Sequence, residues 1–523
     1  MNAMTRRAVT AALAATLILP AATAWGAGGR DAVLDALPLY EIGTLSGAGE
    51  IGSASGGKQE AQYRGPVSVA VKTDGTILVA DIGNQQIRSI QNGQASTVAG
   101  IEIGTDELGF MLGGLLDGKA DESAFQGPYG LAVDAKSGRT IIADSNNHAI
   151  RAIAADGTVS TIAGNGTIGS ADGEGAAAQF YSPSDVAVAA DGTIYVADTL
   201  NHAIRSIKGG VVTTLNAVSE RPVEFFPGEA ELAGDYQDGK LSEAKFNEPS
   251  GLAIDAKGNL YVSDTGNQRI RYIDLAAGTV TTAAGSGALG ANDVYVAGEY
   301  KDGAALEASF NAPKGIAVTP DGGLLIADSL NHVIRYLQNG EVVTVAGVPV
   351  ETVKSDGVAA YAGFNTPTDV AYVGDGAFVV ADYSNNRVRT VKPYVKPQGL
   401  EGAKIDLVYN RDILASDADP IIVNGTTFVP VRVISETLGY KVEYGDNGET
   451  TLTLGEQWFK IQAGEKAVTS SVASSLSLPE APFIQQERLY LPVRFFAEQI
   501  GLDVKWLDAE KAVLLRDRLT VIE

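Results

Sequence analysis

The chain contains no cysteine and only three histidines among its 523 residues. The first absence excludes disulfides, thiolate catalysis, iron–sulfur clusters and cysteine-bound zinc. The second leaves little material for imidazole-rich metal chemistry. Basic residues are scarce too: 39 Lys+Arg stand against 63 Asp+Glu, a net charge of −24. So acidic a protein is not expected to bind nucleic acid, which needs a basic surface. What the chain has in plenty is glycine, 61 residues, so it must turn often. Its 45% hydrophobic and 20% charged residues are ordinary globular composition rather than disorder.

Residues 1–24 are expected to be a secretory signal. Arg6 and Arg7 precede an apolar run from Ala8 to Pro20, and the small-residue stretch Ala22-Thr23-Ala24 suits signal peptidase. The run is too short for a comfortable membrane span, and no second long apolar segment follows. The expectation is an exported protein without a transmembrane span after cleavage.

Internal repetition is the strongest signal. One phrase returns six times, as in DGTILVADIGNQQIRSI from Asp74, DGTIYVADTLNHAIRSI from Asp191 and GGLLIADSLNHVIRYL from Gly322. Its fixed acid falls at Asp81, Asp144, Asp198, Asp264, Asp328 and Asp382, spacings of 63, 54, 66, 64 and 54. Each unit carries four short strand signals: a run after Pro, a β-branched run launched by a turn, a run around the repeat Arg, and a VTTxAG-like run. No segment of the repeats shows sustained helical periodicity. Six units of four antiparallel strands predict a mainly β fold, a six-bladed β-propeller over residues 40–391.

The sixth unit stops after its third strand at Val391, whereas a spare VTTxAG-like strand lies at Tyr40–Gly47. The N-terminal strand is therefore expected to close the ring and remove both open sheet edges.

These residues resemble the NHL-repeat family, whose Asn-His-Leu phrase is matched in part by Asn201-His202 and Asn331-His332. The pre-blade phrases DGKLSEAKFNEPSGLAID and DGAALEASFNAPKGIAV are similar to the family consensus. An aromatic residue stands three before the Pro in all six units: Tyr63, Phe125, Phe180, Phe246, Phe310 and Phe364. The resemblance implies a binding platform, with an enzyme as the rarer outcome.

After a Pro/Lys linker, 392–402, a second part begins. Residues 401–523 carry 12 basic and 19 acidic side chains. Two phrases are alike, Phe428-Val429-Pro430-Val431-Arg432 and Tyr490-Leu491-Pro492-Val493-Arg494. Each reads as strand, Pro, short helix, Gly and strand, giving a small α+β domain. Residues 403–518 are similar to the copper amine oxidase N-terminal-like, or stalk, domain of exported proteins of Gram-positive bacteria. They contain no His and no Cys, so they lack the imidazoles of the usual copper site.

Six Asp and six Arg (Arg88, Arg151, Arg205, Arg271, Arg335, Arg389) recur seven apart, as scaffold pairs do and catalytic groups do not. The Asp is expected to accept N–H groups of the following turn, and the Arg to pair with a nearby carboxylate or carbonyl. His148, His202 and His332 share one repeat position with Gln85, Gln268 and Asn386, so turn residues rather than metal ligands are expected. Asp117, Asp172, Asp238, Asp302 and Asp356 precede Gly without a calcium-loop pattern and read as turns.

Departures from the repeat mark a candidate ligand face. Enlarged connections hold Phe110 and Met111 (101–126), Phe225 and Phe226 (216–247), and Tyr295 and Tyr300 (286–311). The expectation is a secreted, envelope-associated binding or scaffolding protein, with no cofactor, taking a protein, peptide or cell-wall glycan. A metal-assisted propeller lyase or lactone hydrolase, and a purely structural envelope spacer, are the competing classes.

Overall fold

Each of the six repeat phrases folds as a four-stranded antiparallel blade, in a computed structural model that describes residues 37–226, 229–400, 402–445, 447–473 and 476–520, without the side chains of 225–231. The expected signal at 1–24 lies outside the described residues. The third blade shows the pattern: Pro183–Val188, Ile194–Asp198, Ala203–Lys208 and Val211–Thr214 pair in that order. Pro opens the innermost strand, where its missing N–H costs no ladder bond. First strands of neighbouring blades touch all the way round, including Pro66–Val71 of the first blade against Pro367–Gly374 of the sixth. The ring is closed.

Closure uses the N-terminal strand. Tyr40–Ser46 pairs antiparallel with Arg387–Pro393, the third strand of the sixth blade. Thr44 gives its N–H and its hydroxyl to the two oxygens of Asp356, each at 2.8 Å. Thr161, Thr214, Thr282 and Thr344 make the same pair of bonds to Asp117, Asp172, Asp238 and Asp302 in blades two to five. A segment more than 300 residues away in sequence thus fills the repeat's own slot. The pre-blade Asp-Gly segments do not form free turns. They add a short outer strand to each of blades two to six, from Gly118–Lys119 to Asp356–Val358.

The blades pack around a buried guanidinium. Each repeat Arg is wholly buried and gives Nη1 to its repeat Asp, at 2.6–2.8 Å in blades two to six and 3.4 Å in blade one. Nη2 reaches the pre-blade Asp of blades two to six at 2.5–2.8 Å, and Ser55 takes that place in blade one. The guanidinium lies 4.9–5.7 Å from the ring of the aromatic that precedes the Pro. The repeat Asp differs from expectation. One oxygen accepts a backbone N–H from 17 residues earlier, or 18 in the second blade, where Asp144 accepts from Gln126. From the following turn it receives an Asn side chain instead, as Asp144 does from Asn147. Burial pushes Asp144 up to about 6, so it still carries its charge at neutral pH.

The second part is α+β. Helix α1, Val431–Thr437, follows strand Thr426–Pro430, and helix α2, Arg494–Gln499, follows Arg488–Pro492. Val431, Ile434, Phe495 and Phe496 enter one core with Leu452, Phe459 and Leu491. The stalk returns to the propeller at its end. Leu519–Thr520 pairs with Asp356–Gly357, which extends the sixth blade to six strands. Arg411 adds an ion pair to Glu41 of the closing strand at 2.6 Å.

Two outcomes are expected. Deleting residues 37–47 leaves the sixth blade without its fourth strand, and calorimetry should show a collapse of the propeller transition. A truncated protein melting like the parent would contradict this closure. Replacing Arg205 with Met should cost about 3–5 kcal/mol in denaturant unfolding, because Asp198 is left charged, buried and without its main partner.

Candidate functional site

The repeat turn fixes which side chains reach the loop face. After each repeat Asp comes a single 3-10 turn, then one residue in the left-handed region: Gln85, His148, His202, Gln268, His332 and Asn386. Its side chain accepts the N–H of the residue before the next blade's Pro. His148 Nδ1 takes Ser182 at 3.1 Å, His202 Nδ1 takes Glu248 at 3.0 Å, and His332 Nδ1 takes Thr366 at 3.0 Å. Gln85, Gln268 and Asn386 do the same with Gly127, Ala312 and Gly65. The slot is a clasp between blades. Each ring is tied into its own joint, so the three do not converge on one point.

An accepting Nδ1 requires the neutral imidazole with its proton on Nε2. Burial lowers the pKa of all three, His202 to about 4.

Three enlarged connections surround the axial opening on this face. The connection 101–126 is ordered: Asp106 caps the N–H groups of Leu108 and Phe110, and Thr105 bridges Met111. It is held to the blades by Arg64 Nη1 on the Gly109 carbonyl and by Gln85 Nε2 on the Met111 carbonyl. Leu108 is 83% exposed and Phe110 62% exposed at its tip. The connection 216–247 is a two-stranded ribbon, Arg221–Phe226 with Glu229–Ala233. The side chains of Phe225 and Phe226 lie outside the described residues. Arg221 binds the carbonyls of Gly234 and Asp293, joining the ribbon to the third connection.

In that third connection the two tyrosines part. Tyr295 stays on the loop face, 48% exposed, with its hydroxyl on Glu248 at 2.8 Å. Tyr300 does not join it. Its ring lies 4.9 Å from the Arg335 guanidinium, and its hydroxyl meets Thr344 at 2.8 Å at the outer strands of blade five. There it belongs to the scaffold.

The groups at the axis carry no repeat signature. Position one after each Pro reads Val67, Tyr129, Ser184, Ser250, Lys314 and Thr368, and position two reads Ser68, Gly130, Asp185, Gly251, Gly315 and Asp369. Tyr129 and Lys314, on opposite blades, meet at 3.1 Å and narrow the channel. Asp185 and Asp369 sit deeper. A Cβ on Gly130 or Gly315 would strike their carboxylates, so glycine in one blade makes room for Asp in the next. Asp185 accepts Leu252 N–H at 2.8 Å, and Asp369 accepts Val69 N–H at 2.9 Å. Burial first, and then Asp369, pushes Asp185 well above the usual carboxylate range, and burial raises Asp369 to about 6. Toward the opposite face the channel opens into a funnel of about 380 Å³, lined by aliphatic side chains such as Leu131 and Ile316 together with Asp185 and Asp369. Comparing the six first strands position by position would have exposed these axial groups, because they are where the repeat varies.

The stalk lacks the imidazole and thiolate donors of the usual copper site. It holds neither His nor Cys, and no group of three or more metal-type side chains occurs among the described residues.

Comparison with known proteins agrees with the two parts. The NHL repeat model matches residues 180–205, 246–271 and 364–390, and the copper amine oxidase N-terminal domain model matches 408–515. NHL repeat-containing protein 2 of Bos taurus is 30% identical over 321 residues, covering 56% of this chain and 41% of that protein. Protein SUPPRESSOR OF QUENCHING 1, chloroplastic, of Arabidopsis thaliana is 29% identical over 295 residues, 53% of this chain and 26% of that one. The chain thus matches less than half the length of these relatives. Among solved structures, an auxiliary nutrient binding protein from Bacteroides thetaiotaomicron is 14% identical with a TM-score of 0.47, covering 68% of this chain and 76% of its own.

The clasp predicts a pH effect of definite sign. Above pH 6.5 the three rings are neutral folded or unfolded, and their full contribution is present. As pH falls below 6.5 the unfolded chain takes up protons that folded His202 refuses until about 4, so stability is lost across that window. Changing all three to Gln removes this component while keeping an acceptor. The parent's stability advantage should therefore shrink by on the order of 3 kcal/mol between pH 7 and pH 4 in urea melts. An advantage that does not change with pH would contradict the clasp.

Proposed function

For a chain that carries NHL repeats followed by a copper amine oxidase N-terminal domain, we propose an exported binding protein whose loop face takes a glycan, peptide or protein ligand. One observation carries this reading. The connection 101–126 is a built projection, held by Arg64 and Gln85, that presents Leu108 and Phe110 to solvent beside a polar axial mouth. A protein gains nothing in stability by fixing apolar side chains in water, and such patches mark contact sites. Tyr295 and Glu248, hydrogen-bonded to each other, add polar groups elsewhere on this face. The N-terminal sequence supports export, and no helix among the described residues is long and apolar enough to cross a membrane.

A glycan, peptide and envelope-extract binding screen with the full chain tests the proposal. Phe110→Ala combined with Leu108→Ser should weaken the ligand found at least tenfold, since truncating an interface anchor often costs about 2 kcal/mol or more. Thermal stability should hardly move, because both side chains are exposed. Unchanged binding per folded molecule would place the site elsewhere. Absence of any ligand would leave the spacer reading in force.

A further inference from the structure

Six guanidiniums in the propeller are wholly buried, and every one is answered by a carboxylate. Lys314, partly buried at the channel axis, has no such carboxylate against it among the described residues. Its ammonium reaches across the channel from blade five toward blade two, where it finds the Tyr129 hydroxyl at 3.1 Å and that ring's face at 5.8 Å. It makes no ion pair among the described residues. An ammonium has three donors, and one is used here. Its backbone is pinned, because the Lys314 carbonyl accepts Ser263 Oγ and closes on Gly251. Tyr129 before all, and Tyr383 and Glu248 further off, raise its pKa above the ordinary lysine value, so it is charged at any physiological pH. A charge kept partly out of water without its counter-ion is costly unless something completes it.

We propose that Lys314 is the anchor for one carboxylate of an acidic carbohydrate, a uronic acid residue lodged in the axial mouth of the loop face. This rests on the loop-face reading above and gives it a ligand chemistry. The charge of the site selects the anion. A single ammonium with Glu248 further off, in a protein of net charge −24, suits a monoanion better than a phosphate dianion. The neighbours select the rest. Glu248 and the hydroxyls of Tyr295 and Tyr129 offer partners for sugar hydroxyls, and the half-exposed Tyr383 offers a ring face. The channel narrows directly below, between Tyr129, Lys314 and the two aspartates, so a terminal residue enters and a folded domain does not.

The test is calorimetric titration of the full chain with a trisaccharide that carries one terminal hexuronic acid on two neutral hexoses and with the neutral trisaccharide of the same linkage. The uronate should bind at least tenfold more tightly, and Lys314→Met should remove that preference while leaving the melting temperature of the free protein in place. In the parent, the uronate should also slow acetylation of the Lys314 amine, read by mass spectrometry, which decides the matter even if the variant folds poorly. Equal binding of the two sugars, unchanged uronate binding by Lys314→Met, or protection of Lys314 by a peptide's terminal carboxylate but not by the sugar would overturn the assignment. A ligand from the wider screen that is lost with Phe110→Ala but kept with Lys314→Met sinks this inference alone and leaves the binding function standing.

Discussion

A guanidinium removed from water must be met by several acceptors at once, and each blade is arranged to do this. The repeat Arg brings together the second strand through its Asp, the outer strand through the pre-blade Asp, and the pre-Pro segment through carbonyls and an aromatic face. These are the pieces that loop-closure entropy would otherwise hold apart. The pair's value lies less in net energy, which desolvation largely offsets, than in the cost of any arrangement that leaves one charge unanswered. The single-residue clasp then ties each blade to the next, and the Pro strands fill the middle.

The same logic accounts for what the sequence revealed. Repeat number, strand order and the closing strand were legible because period and alternation are written in backbone-proximal residues, six times over. The role of Asp144 was only half legible. Its spacing from Arg151 was plain, whereas the N–H that it accepts comes from Gln126, on the far side of the blade's first strand. The axial groups escaped for the opposite reason. Lys314, Tyr129, Asp185 and Asp369 are isolated in sequence, and only the closure of a ring sets blade two against blade five and blade three against blade six. Tyr300 and Tyr295 look alike in the sequence. Their separation depends on which residue happens to lie two positions before a pre-blade Asp.

Scaffold and variation thus occupy different radii of one disc. The outer half of each blade repeats with little change, blade one departing most, and is spent on the Arg network. The innermost two positions and three of the connections are free to differ, because the ring no longer depends on them for closure. Pairs such as Gly130 with Asp185 show that even this freedom is coupled, since a carboxylate in one blade requires an absent side chain in its neighbour.

The pairing of Leu519–Thr520 with Asp356–Gly357 gives the molecule a line of mechanical load. Tension applied through the stalk reaches the sixth blade by two routes, the covalent linker after Pro393 and the outer strand Asp356–Val358, which lies against Tyr40–Ser46, the strand that seals the ring. Asp356 stands at the crossing of these paths, bound at once to Thr44 and to Arg389. The seam of the propeller therefore lies on the path of that load: Tyr40–Ser46 is held to Arg387–Pro393 by six residue pairs, where each of the other blades has its third and fourth strands joined by the chain itself.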